Sequence, residues 1–295
     1  QWPQALGPGS VVAMIAPSGP MTPERIERGI AQLAGWGFEV RAGKHLHDHH
    51  GTLPYLAGRD EDRAADLMDA WTDPDVAAIW CARGGYGAQR MVDLLDFDAL
   101  RAAGPKHLIG FSDITALHAR FGRELEQITV HGPVGTGTQL ADPPSADCIQ
   151  KLILDRPRSG QTLITGEPLV PGRAEGRLIG GNLALIVNDL GIEPAPAEPS
   201  IVIMEDVGEE SYRLDRMLTQ LRRVNWFERV TGIVLGDFTE GDDPEQIATV
   251  LAERLDDLGV PILHRAPFGH ADRNLALPLG TVVTLDTDRG LLTLS

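Results

Sequence analysis

The segment Lys106–Thr115, KHLIGFSDIT, places one serine, Ser112, between an apolar run and what reads as the start of a helix. A serine hydroxyl is a weak nucleophile at neutral pH, so it needs a base to take its proton, a third group to orient that base, and donors for the oxyanion. A sharp strand-to-helix elbow supplies part of this by pushing Oγ outward and aiming the first N–H groups of the helix at the same point. Gly110, two residues before the serine, gives steric room, although Ile114 stands where the G-x-S-x-G elbow has its second glycine. The same letters let Ser112 or Asp113 cap a helix over 114–121, the commoner use of Ser and Asp at such positions. Taken alone, this stretch leaves both readings open.

Other segments offer the missing parts. In CARGGYGAQRM (81–91), the consecutive glycines Gly84 and Gly85 would let backbone N–H groups approach an oxyanion, or would simply make a tight turn. Arg83 in the same stretch could receive a carboxylate. Neither this segment nor RLIGGNLA (177–184) matches G-x-G-x-x-G, and no P-loop occurs, so a nucleotide-cofactor reading lacks its fingerprint. Among nine histidines, the cluster KHLHDHH (44–50) invites a metal, but it lacks the helical i, i+4 spacing and reads as a solvated loop. His118 would be carried away from the elbow by its helix, and His131 reads as structural. His270, in the Gly- and Pro-rich APFGHADRN, has little structural work to do there and is the better candidate base. Glu205 and Asp206 end the apolar run SIVIMED and could orient a histidine, or cap the helix that follows.

The elements that must hold these residues follow from periodicity. VVAMIAPSG (11–19), VAAIWCA (76–82) and KHLIGF (106–111) read as strands buried on both faces, alternating with helical patterns at 22–34 and 59–71. That alternation predicts a Rossmann-like parallel sheet over residues 1–140, with APSG, CARGGYG and GFSD all at carboxyl ends of strands. Residues 141–172, rich in Pro, Gly and small side chains, read as a linker with little regular structure. Residues 173–295 read as a smaller, β-rich α+β domain with a helix from Ser211 to about Arg223, another over 244–257 and a C-terminal hairpin. With 42% apolar residues the chain can bury a substantial core, while a net charge of −16 disfavours nucleic acid and anionic membrane partners. Two cysteines form no metal spacing, and no segment is long and apolar enough to span a bilayer, so a cytoplasmic protein is expected.

The ordered segments VAMIAPSGP, YLAGRDEDRAADL, ARGGYGAQR, LIGFSDITALH, HGPV, GGNLALI, MEDVGEESYRLDRMLTQL and GHADRNLALPLG resemble the LD-carboxypeptidase family of serine peptidases, from about residue 8 to the C-terminus. The resemblance implies a Ser-Glu-His triad of Ser112, Glu205 and His270, with the active site at the domain interface. The oxyanion donors would be the N–H of Asp113 and that of Gly85, with Gly84 as the alternative, and Arg83 would bind the substrate carboxylate. Asp206 is the next choice should Glu205 lie far from His270. The implied reaction is hydrolysis between the L-centre of a dibasic residue and the terminal D-alanine of a murein tetrapeptide during cell-wall recycling, without metal or organic cofactor. A homodimer is usual in the family. Related immunity-type enzymes cleave peptidyl or aminoacyl nucleotides, which calls for an aromatic loop to stack a base; here TEGDDPEQ follows the strand at 230–238. A non-catalytic peptide-binding protein of two domains is a third reading, disfavoured by the ordered motifs.

Overall fold

Val11–Ile15 and His107–Gly110 are buried at every position, as strands covered on both faces must be. The computed structural model describes residues 1–295, and contacts divide the chain into two units, Gln1–Arg156 and Pro157–Ser295. In the first, β1 (Val11–Ile15), β2 (Glu39–Ala42), β3 (Val76–Cys81), β4 (His107–Gly110) and β5 (Thr129–His131) lie in the order β5-β4-β3-β1-β2, all parallel. The crossovers carry α1 (Pro23–Gly35), α2 (Asp60–Thr72), α3 (Ala88–Met91), α4 (Phe97–Ala103) and α5 (Thr115–Leu125). Because every strand points the same way, the loops after β1, β3 and β4 emerge at one edge of the sheet, as the sequence pattern requires.

The second unit is built on a mixed sheet. Its strands are β6 (Thr162–Thr165), β7 (Glu167–Val170), β8 (Arg173–Asn182), β9 (Ser200–Val207), β10 (Val230–Thr239), β11 (Ile262–His264), β13 (Val282–Asp286) and β14 (Leu291–Leu294); the short β12 (Leu277–Leu279), between β11 and β13 in the chain, is not part of this sheet. The order is β6-β14-β13-β8-β9-β10-β11-β7, and β8 to β11 run parallel at the centre. Three helices, α7 (Leu183–Asn188), α8 (Ser211–Arg223) and α9 (Pro244–Leu255), contribute to a core formed with Val202, Met204 and Leu235 of the central strands. The expected helices near 211–223 and 244–257 and the expected hairpin, β13 with β14, are all present.

The stretch 141–172 departs from the expected irregular linker. It holds α6 (Pro143–Leu154) and the strands β6 and β7. The prolines that read as breakers sit in the first turn, where a missing N–H costs nothing, and Asp142 caps the helix by accepting from Ser145 N–H at 3.1 Å. Beyond that turn, Ile149, Leu152 and Ile153 provide the buried face.

Trp71 of α2 shows how tightly the first unit's helices are joined. Its side chain is fully buried, packs edge-on against Phe121 at 4.9 Å between ring centroids, and donates Nε1–H to the carbonyls of Leu100 (3.2 Å) and Gly104 (3.1 Å). Trp71→Phe keeps an aromatic ring but leaves those carbonyls without their donor and opens a void. It should therefore lower the unfolding free energy by about 2–4 kcal/mol in a denaturant titration.

Candidate active site

β4 ends at Gly110, and the chain turns through a short 3₁₀ segment, Ser112–Ile114, into α5. Ser112 takes φ +64°, a left-handed conformation that costs a non-glycine residue about 1–2 kcal/mol and persists only where surrounding contacts enforce it. At the cap positions of the 3₁₀ turn and of α5 stand Phe111 and Ile114, neither of which caps with its side chain. The Asp113 carboxylate is committed elsewhere. It is buried and accepts from Ser18 Oγ (2.6 Å) and from the N–H of Ala88 (2.8 Å), thereby joining the loops after β1 and β3.

Those two loops are tied together again from below. The buried guanidinium of Arg63, on α2, donates to the carbonyls of Pro17 and Gly87 and pairs with Asp60. Gly19 N–H donates to Gly84 O at 3.0 Å. Gly84 then passes so close to the serine that a Cβ there would lie 2.9 Å from Ser112 Cβ and 3.1 Å from its Oγ, and Gly85 follows with φ +104°. Only glycines fit this approach. Arg83 is exposed beside them, with Nη1 on the Pro20 carbonyl at 2.9 Å. Ser18 and Arg63 were not singled out by the sequence pattern. APSG gave a hint of the first, whereas nothing in RDEDRAADL separates a buried arginine from exposed ones.

The other residues of the first unit take structural places. His118 is buried with Nε2 at 2.9 Å from Gly110 O, and burial pulls its pKa down to about 4. His131 is fully buried, edge-on to Phe111. Cys81, at the end of β3, is fully buried, and burial raises its thiol pKa far above the usual range, with Asp113 adding. In the 44–50 loop, His45 Nδ1 meets Asp48 at 2.7 Å, and one donor atom each from His45, Asp48 and Asp62 lies within 4.8 Å of the others.

In the second unit, Glu205 and Asp206 are neighbours on β9 and must point to opposite faces of the sheet. Asp206 turns to the start of α7, where it accepts from Asn182 Nδ2 (3.0 Å), Ala184 N–H (2.9 Å) and Val207 N–H (2.8 Å). Burial pushes its pKa up to about 6 despite those donors, and Glu205 adds to the rise. Glu205 turns the other way, is wholly buried, and places Oε2 2.6 Å from His270 Nδ1. Strand alternation thus sets Glu205, and not Asp206, against His270. His270 is part-buried on a loop pinned by Asn274 Oδ1, which accepts from Gly269 N–H at 3.1 Å. Burial works against the charged imidazole, but the hydrogen bond and charge of Glu205, with Asp206 and Glu240, outweigh it, so the His270 pKa is raised.

A raised histidine pKa means the native state binds the proton more tightly than the unfolded chain. The stabilisation is therefore complete below the unfolded value near 6.5 and is lost as pH rises through the higher native one. Compared with the wild type, His270→Gln should show a larger stability deficit at about pH 5.5 than at about pH 8.5, read from denaturant midpoints at each pH.

Comparison with known proteins agrees with this layout. The family model of the LD-carboxypeptidase N-terminal domain matches residues 12–132, and that of the C-terminal domain matches residues 175–285. A Streptomyces coelicolor protein that carries a carboxypeptidase name is 47% identical over 99% of this chain and 95% of its own length. The murein tetrapeptide carboxypeptidase of Pseudomonas aeruginosa is 38% identical, with 94% of each chain covered. Among solved structures, the microcin C7 self-immunity protein MccF in complex with glutamyl sulfamoyl guanosine shares the fold at a TM-score of 0.87 and 24% identity, covering 99% of this chain and 97% of that one. Matches to both family domains and relatives aligned along nearly the whole chain place the protein in the LD-carboxypeptidase family.

Proposed function

We propose that this protein is a serine carboxypeptidase that removes the terminal D-alanine from murein tetrapeptides, cutting the bond to the L-centre of a dibasic residue. The reading rests on a strained serine approached by Gly84 in the first unit and a Glu–His hydrogen bond in the second, in a chain 38% identical to a murein tetrapeptide carboxypeptidase. Ser112 is the nucleophile, His270 the base and Glu205 the acid that orients it.

The chemistry follows from the protonation pattern. Nδ1–H of His270 donates to Glu205 Oε2, which leaves Nε2 unprotonated to take the Ser112 proton as Oγ attacks the carbonyl carbon. The carbonyl π electrons move to oxygen, and the N–H of Asp113 with that of Gly85, or of Gly84 in its place, stabilises the oxyanion; each such donor is worth about 3 kcal/mol. The Asp113 carboxylate adds to this indirectly, because its bond to Ala88 N–H holds the glycine turn in place. The protonated imidazole then gives its proton to the departing D-alanine nitrogen, and water clears the acyl-enzyme by the same route. Arg83, exposed at the turn, receives the C-terminal carboxylate. The protein works in the cytoplasm, as a homodimer, on peptides recycled from the cell wall.

The acidic stretch after β10, Glu240 to Asp243, offers no ring for a nucleobase, which favours a murein peptide over an aminoacyl nucleotide. The deciding assay measures D-alanine released from murein tetrapeptide with chelator present, alongside amino acid released from an aminoacyl nucleotide. Ser112→Ala should lower D-alanine release by about 10⁴-fold or more, and the Ser112→Ala/His270→Gln double variant should be little worse than either single one. Cleavage of the nucleotide conjugate alone would move the protein to the immunity-type activity, and no turnover of either substrate would overturn an enzymatic role. Glu205→Gln removes the charge that holds the His270 pKa up, so the acidic limb of its kcat/KM profile should shift to lower pH while kcat falls about 10²–10⁴-fold.

A further inference from the structure

β10 contains an irregularity where it passes the Glu–His pair. It pairs Leu235 with Met204 and Phe238 with Asp206 of β9, and the register shifts in between, so that Gly236 and Asp237 together lie opposite Glu205. Leu235 and Met204 belong to the core on the helix side, and Phe238 packs against that core as well. Regular alternation would send residue 237 to the helix side with Leu235; the extra residue turns it to the face occupied by Glu205. Position 236 must be glycine, since a Cβ there would sit 2.4 Å from Phe268 O.

Asp237 grips the base-bearing loop on both sides of His270. Its N–H donates to Phe268 O at 2.9 Å, and its carboxylate accepts from the N–H of Ala271. Its Oδ2 is buried without a hydrogen-bond partner, as is Oε1 of Glu205. We propose that Asp237 is a positioning residue for the His270 base, bracing its loop through Phe268 and Ala271 and adding a second negative charge beside Glu205 when ionised. The inference rests on the reading of His270 as the general base.

The charged groups around it set the sign. Glu205 faces Asp237 from β9 and His270 faces it from the loop, while His270 also feels Asp206 and Glu240. Burial pushes the Asp237 pKa up to about 6 against the Ala271 amide, with Glu205 adding to the rise and His270 opposing it. Above that pH the ionised carboxylate favours the imidazolium, and below it the protonated form does not. Asp237→Asn keeps an acceptor for Ala271 but removes the charge, whereas Asp237→Ala removes both.

The test combines the titration of the His270 imidazole by NMR, assigned by comparison with His270→Gln, with kcat/KM profiles for D-alanine release. In Asp237→Asn the imidazole midpoint should fall by about 0.5 pH unit or more, and the acidic limb should follow it. Asp237→Ala should drop kcat at the plateau at least tenfold below Asp237→Asn, with KM changed less than threefold. A His270 titration in Asp237→Asn that superimposes on the wild type overturns the proposal, as do Asn and Ala variants of equal plateau rate. Should Asp237→Ala fail to fold, the Asp237→Asn titration decides alone. The NMR readout needs no substrate, so wild-type protein that releases no D-alanine overturns the murein reading and leaves the charge measurement standing.

Discussion

A carboxylate with no exposed surface is the constraint on which the second unit depends. Glu205 sits near the end of β9, among the parallel central strands of a mixed sheet, on a face where Ile203 and Ile201, two and four residues earlier, are apolar. Burying that charge without a partner would cost several kcal/mol, and the imidazole of His270 meets it at 2.6 Å. The loop from Phe268 to Asn274 is therefore as much a part of the sheet's stability as of any chemistry. Asn274 and Asp237 fix its backbone so that the ring stays on the carboxylate.

The first unit solves a different problem with similar means. A parallel sheet brings three loops to one edge but leaves them unconnected, and the left-handed turn at Ser112 has to be held against its own strain. Asp113 and Arg63, both buried, convert the loops into one assembly: Asp113 accepts from the Ser18 hydroxyl and the Ala88 N–H, and Arg63 donates to the Pro17 and Gly87 carbonyls. The side chain following the serine thus anchors the glycine turn, while Gly84 allows that turn to lie against the serine.

What could be read from the sequence divides along a physical line. The strands were legible because runs such as VVAMI and VAAIWC are apolar throughout, whereas Ser and Asp after a strand that ends in glycine left an elbow and a helix cap both open. The pairing of Glu205 with His270 came through family resemblance, since no local pattern joins residues 65 positions apart. The use of Asp113 was hidden for the same reason: its partner Ser18 lies 95 residues away, whereas the competing cap reading was local. In the 141–172 stretch, composition misled because prolines at the first turn of α6 look the same as prolines that break a helix. Asp237 was missed because a bulge overrides the alternation by which strand faces are assigned.

The burial of Cys81 has a consequence for the chemistry this protein can tolerate. Sulfur oxidation and alkylation proceed through the thiolate, and the end of β3 keeps that thiol protonated and out of solvent. The strand that leads into the glycine turn therefore carries a sulfur that oxidants reach only when the sheet opens. Peroxide and electrophiles are in this way kept from the sulfur at the end of β3.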